Sequence, residues 1–74
     1  MTTLTAKKPS EITVDVVIPV LNEAHVLARS VATVRRFLVE KFPFRWRVVI
    51  VDNGSTDGTS EVAEALAKIG RAHV

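Results

Sequence analysis

The chain has 74 residues, 47% of them hydrophobic and 24% charged, with a net charge of +2. That is a globular composition rather than a disordered one, and its small basic excess falls short of a nucleic-acid stripe, which needs Lys and Arg clustered on one face. Domains commonly run to about 100–150 residues, so the length argues against a self-sufficient α/β enzyme and leaves a small binding module or part of something larger.

Residues 1–11 lack the apolar h-region of a secretory signal and read as a polar, flexible leader. Ile12 to Leu21 is rich in Val and Ile and almost continuously apolar after Asp15, as in strands buried on both faces of a parallel sheet. Pro19 has no N–H for a ladder, so pairing should fade there. Asn22 is a plausible helix N-cap, with Glu23 favourable in the first turn beside the positive helix end. Leu27, Val31, Val34 and Leu38 then mark one helix face, over a helix from Glu23 to about Glu40 that stops before Pro43. Arg29, Arg35, Arg36 and Glu40 suit its solvated side.

Phe42-Pro43-Phe44 is a connection, and Trp46 to Val51 a second short apolar strand. Asp52-Asn53-Gly54-Ser55-Thr56-Asp57-Gly58 is a dense turn cluster. A second helix follows, with Val62, Leu66 and Ile69 on one face and Asp57 or Thr59 as its cap. No apolar run approaches the roughly 18 residues of a membrane span. The sequence contains no Cys, which excludes a disulfide framework and a thiolate zinc site.

Strand, helix, strand, helix makes a βαβα unit with parallel strands and a right-handed crossover. The carboxyl ends of both strands then share one sheet edge, the edge at which open α/β sheets bind ligands. Topology thus places Pro19 to Glu23 beside Asp52 to Asp57. Asp52 is suited to accept hydrogen bonds from a ribose diol or a base. Gly54 allows close approach of a ligand. Ser55 and Asp57 can hold the loop in shape by bonding backbone N–H groups, and Thr59 stands at a helix start, where free N–H groups favour anions. The same residues would also serve as a capped turn without a ligand, and Asn22 and Glu23 as a cap and a first-turn acid. His25 reads as a surface or packing residue rather than a metal ligand, and Trp46 as packing rather than a stacking platform. Gly54-x-x-x-Gly58 lacks the Lys-Ser or Lys-Thr of a phosphate loop, and no dinucleotide fingerprint follows the first strand.

Val16-Val17-Ile18-Pro19-Val20-Leu21-Asn22-Glu23, followed by Val49-Ile50-Val51-Asp52-Asn53-Gly54-Ser55-Thr56-Asp57-Gly58-Thr59, resembles the start of the family 2 inverting glycosyltransferases. The nearest flavour is the polyprenyl-phosphate branch (like dolichol-phosphate mannose or glucose synthases), where a Pro-x-x-Asn-Glu block is usual. The resemblance covers Val14 to Lys68, so residues 12–68 would be the N-terminal part of such a domain. It implies a GT-A, Rossmann-like fold binding a GDP- or UDP-linked sugar. Pro19, Leu21 and Glu23 would line the base and ribose. Asp52 would contact the base or ribose, Asn53 fits the second position of the acidic pair, and Asp57 would support the same pocket. Many relatives carry an aromatic residue where Leu21 stands.

The resemblance also implies transfer to an acceptor such as polyprenyl phosphate, a divalent cation (Mg or Mn), and a cytoplasmic location at the membrane face. The family's metal-binding Asp-x-Asp and its catalytic base come later than these motifs. No catalytic residue and no metal ligand is therefore assigned in this chain, which alone is expected to be inactive. The alternative is a small non-catalytic α/β nucleotide-binding or receiver-like module. Finally, Ile69-Gly70-Arg71-Ala72-His73-Val74 matches one translated frame of a widely used sequencing adapter, which then reads a stop. The expectation is an artefactual tail over 69–74, the ordinary alternative being a helix C-cap glycine at Gly70.

Overall fold

A computed structural model describes residues 11–74. All of the expected leader except Glu11 lies outside the described residues. Four elements follow in order: β1 (Thr13–Val20), α1 (Ala24–Lys41), β2 (Arg45–Asp52) and α2 (Thr59–Lys68). The strands pair in parallel from Thr13↔Arg45 to Val20↔Asp52. The chain is thus an α/β, Rossmann-like βαβα unit.

Alternation along the strands sends Val16, Ile18 and Val20 of β1, with Trp46, Val48 and Ile50 of β2, toward the helices. There they meet Leu27, Val31, Val34 and Leu38 of α1 and Val62, Ala63 and Leu66 of α2. Both helices therefore cover the same face of the sheet. The other face is open, with Val17 55% and Val51 43% exposed, which corrects the expectation of strands buried on both faces. An exposed bidentate pair lies on that open side, Arg47 Nε to Asp15 Oδ1 at 2.7 Å and Arg47 NH2 to Asp15 Oδ2 at 2.8 Å. This bond holds the Asp15 carboxyl below its usual range and raises Arg47.

Pairing does not fade at Pro19, which stays in register with Val51. Arg45 N–H donates to Ile12 O at 3.2 Å and Asn53 N–H to Val20 O at 2.9 Å. Even-numbered residues of β1 therefore turn their backbone groups to β2, and odd-numbered ones turn outward. Pro19 lacks its donor only on the outer edge, where β2 does not need it.

Three helix details differ from the sequence reading. Helix α1 begins at Ala24, so Glu23 occupies the N-cap position without a side-chain cap bond, and Asn22 lies outside the helix at φ 53°. Arg35 is not simply solvated. Its guanidinium sits 5.0 Å from the Trp46 ring centroid and donates to Arg71 O at 3.0 Å. Ile69 is 67% exposed rather than part of the α2 stripe. The helix ends there because Gly70 takes φ 76°, and Gly70 N–H bonds Ala67 O while Arg71 N–H bonds Leu66 O at 2.9 Å. That is the double bond pattern of a Schellman C-cap.

The cap turns residues 71–74 back along β2. His73 N–H donates to Val48 O at 2.7 Å, Ile50 N–H donates to His73 O at 2.8 Å, and Ala72 is buried. The outer edge of β2 is thus partly occupied.

Candidate functional site

The loop leaving β1 and the loop leaving β2 lie side by side at the carboxyl edge, as the parallel topology requires. They are joined by a set of cross-loop hydrogen bonds that begins at Asn22. Left-handed backbone at this residue, tolerated better by Asn than by most residues, turns its N–H to Ser55 Oγ at 2.8 Å. Its side-chain Oδ1 accepts the Thr56 N–H at 2.8 Å. Glu23 N–H donates to Thr59 Oγ1 at 2.9 Å, and Ala24 N–H to Asp57 Oδ2 at 3.2 Å.

Asp57 joins the starts of the two helices. One oxygen accepts the N–H of Ala24, the first residue of α1. The other accepts the N–H of Thr59, the first residue of α2, at 3.1 Å, together with the Thr59 hydroxyl. Each helix start carries a partial positive charge from its unpaired N–H groups. The carboxylate neutralises both. The Thr59 hydroxyl above all, and then the Ala24 and Thr59 N–H groups, hold Asp57 below the usual carboxylate range against a partial desolvation that opposes them. Gly58, at φ 94°, makes the sharp entry into α2 that brings this about.

Asp52 ends β2 half-buried, in register with Val20. Its Oδ1 accepts both the Ser55 N–H, at 3.0 Å, and the Ser55 hydroxyl. Its Oδ2 receives no hydrogen bond from the described residues. Asn53 is exposed, and its N–H extends the ladder to Val20 O. Leu21 is exposed, Glu23 half-buried and Pro19 exposed, on the strand face away from the helices. The residues singled out in the sequence therefore divide into two groups. Pro19, Leu21, Asn53, Asp52 Oδ2 and the half-buried Glu23 make up the first, at the edge. Asp57 commits both of its oxygens to the loops themselves.

Sequence reasoning missed the cross-loop role of Asn22 and the partners Ser55 and Thr59 supply from the second loop. The signal was present as an Asn just before a helix opposite a Ser/Thr-rich loop, but the capping explanation absorbed it. A groove of about 530 Å³ between α1 and α2, lined by Val31, Ala32, Arg35, Val39 and Ile69 among others, lies away from this edge. Among the described residues no group of three or more His, Cys, Asp or Glu comes together to hold a metal ion. No described helix is long and apolar enough to cross a membrane.

Comparison with known proteins agrees with this architecture. Residues 15–74 match the model of glycosyl transferase family 2. The chain is 41% identical over 58 residues to the dolichyl-phosphate beta-glucosyltransferase of Saccharomyces cerevisiae, a stretch that is 78% of this chain and 17% of that protein. It is 48% identical over 52 residues to the succinoglycan biosynthesis protein ExoA of Rhizobium meliloti, 70% of this chain and 15% of that one. The chain therefore spans less than a fifth of the length of these curated relatives. No solved structure matches it significantly. With the family match covering both edge loops and the βαβα unit that carries them, the chain belongs to glycosyl transferase family 2.

Proposed function

We propose that this chain is the nucleoside-binding start of a glycosyltransferase that moves a sugar from a nucleotide-diphosphate sugar to an acceptor. The observation that carries this reading is Asp52: its carboxylate is fixed through Oδ1, and Oδ2 receives no hydrogen bond from the described residues. A half-fixed carboxylate at the end of a parallel strand suits a ribose diol or the N–H groups of a base. Pro19, Leu21 and Glu23 line the same pocket from the first loop, and Asn53 from the second. Asp57 supports it from behind by holding the loops together. The donor is GDP- or UDP-linked. The acceptor is a lipid phosphate of the polyprenyl class, a reading supported by the yeast relative, whose name specifies dolichyl phosphate. The whole enzyme would draw on a divalent cation to stabilise charge on the leaving group, and works at the cytoplasmic face of a membrane.

Residues 12–68 carry the nucleoside half of the site, and the isolated chain has no transferase turnover. Residues 69–74 are a read-through tail, a reading supported by their match to one translated frame of a sequencing adapter. Sequencing the source locus across codon 69 tests the tail, and a genomic stop directly after Val74 refutes it. The reading of the site is tested in the protein encoded by the uninterrupted frame. Asp52→Ala should raise the KM for the nucleotide-sugar donor and leave that for the acceptor unchanged. Unchanged donor kinetics would overturn the assignment of Asp52.

A further inference from the structure

A carboxylate that accepts two bonds on one oxygen still has to be held against rotation if its other oxygen is to meet a ligand. Ser55 supplies both of those bonds to Asp52 Oδ1, one from its N–H and one from its hydroxyl. A hydroxyl has one proton to donate, so its direction depends on what occupies its lone pairs. Here the occupant is the N–H of Asn22, at 2.8 Å. With that donor in place, the Ser55 proton is left to point at Asp52. The side chain of Asn22 fastens the same loop a second time, through the Thr56 N–H at 2.8 Å. Both of these links from the first loop are made from left-handed backbone at Asn22, φ 53°.

We propose that Asn22 is a positioning residue for Asp52, acting through Ser55 and Thr56, so that the first loop sets the direction in which the second loop presents its carboxylate. This rests on the reading of Asp52 as the nucleoside contact. It goes beyond that reading by assigning Asn22 no ligand contact of its own. The two loops form one preorganised unit, and nucleoside affinity is lost when the link between them is cut even though every ligand-facing side chain is intact.

The test uses the full chain and two measurements. The first is the Asp52 χ1 rotamer distribution from NMR couplings. Asn22→Gly keeps the left-handed backbone and removes the acceptor for Thr56. Ser55→Ala removes the hydroxyl relay, and Asn22→Asp keeps both the acceptor and the tolerance of positive φ. Wild type and Asn22→Asp should each show one Asp52 rotamer, whereas Asn22→Gly and Ser55→Ala should show averaging. A single Asp52 rotamer in Asn22→Gly overturns the proposal, whatever Ser55→Ala shows. If Asn22→Gly fails to fold by amide dispersion, Asn22→Ala, which also removes the acceptor for Thr56, is read in its place.

The second measurement titrates UDP and GDP separately, with the protein from the uninterrupted frame as a parallel sample. Loss of the relay should weaken whichever nucleotide binds by about fivefold, the worth of one ordinary hydrogen bond. Equal binding by wild type and Asp52→Asn would remove the nucleoside reading of Asp52 while leaving the rotamer result to decide the positioning role.

Discussion

Thr59 is the one polar side chain among the described residues that is fully buried, at 0% exposure, and it sits between the two loops. Thr59→Val keeps its shape and removes only the hydroxyl. Two bonds are lost. The Glu23 N–H, half-buried at the start of α1, loses its partner at 2.9 Å, and an ordinary bond of this kind contributes about 0.5–1.5 kcal/mol, more when the donor is left unsatisfied. The bond to Asp57 adds little, because that carboxylate is exposed and water can replace the hydroxyl. The expected loss is therefore about 1–2 kcal/mol. A core of this size contributes only about 3–5 kcal/mol, so the change is a large fraction of the total. For a domain of about 60–100 residues each kcal/mol moves Tm by about 4–8 °C, giving a fall of about 5–15 °C. Trp46, the only Trp, reports the transition by fluorescence in urea and on heating. Thr59→Ser, which retains the hydroxyl and loses a methyl, should cost less than Thr59→Val. If Thr59→Val melts with the wild type, or if Thr59→Ser is the more damaging change, the hydroxyl does not join the loops and the reasoning is wrong.

Other expectations follow from the same contacts. Asp57 has a lowered folded-state pKa, so its contribution is fully present above the ordinary aspartate value of about 4 and is lost as pH falls through the folded value. Acid titration of the melt should show that loss, and Asp57→Asn should flatten the acid limb. An unchanged limb would mean that the carboxylate does not hold the helix starts. Asp15 is lowered in the same direction, but its pair with Arg47 is about half exposed, at 43% and 52%, and should be screened by salt. Asp15→Asn should leave the melt within replicate scatter at high ionic strength. At Gly70 nothing lies within 4 Å of an added Cβ, so Gly70→Ala tests left-handed strain alone and should cost about 1–2 kcal/mol by urea melt. No cost there would mean that the Schellman turn is absent in solution.

Both strands and the face of α1 were legible in the sequence because each follows from residue periodicity within its own segment. Leu27, Val31 and Leu38 are buried and Val34 packs against them, as their spacing requires. Ile69 broke the same rule because the Gly70 cap ends the helix before a further turn can carry the side chain inward. The open face of the sheet was not legible. Val17 and Val51 read as buried, yet what covers a strand is set by whatever packs against it and not by its own residues. The edge loops were legible by topology and composition. Their joining was not, since the bonds from Asn22, Glu23 and Ala24 reach residues 33–36 positions away. Local rules assigned Asn22 to a cap, the commoner fate of such a residue. Long-range geometry instead turned it to the neighbouring loop.

Pro19 has a consequence for growth of the sheet. Its missing donor faces the outer edge of β1, one residue before that strand ends at Val20. A further strand laid along that edge would find N–H groups at Thr13, Asp15 and Val17 but none at Pro19, so its ladder would lose registration just short of the ligand edge. The proline thus acts as a pairing stop. It would let the sheet widen along most of β1 while keeping the backbone of the first loop clear of a neighbouring strand.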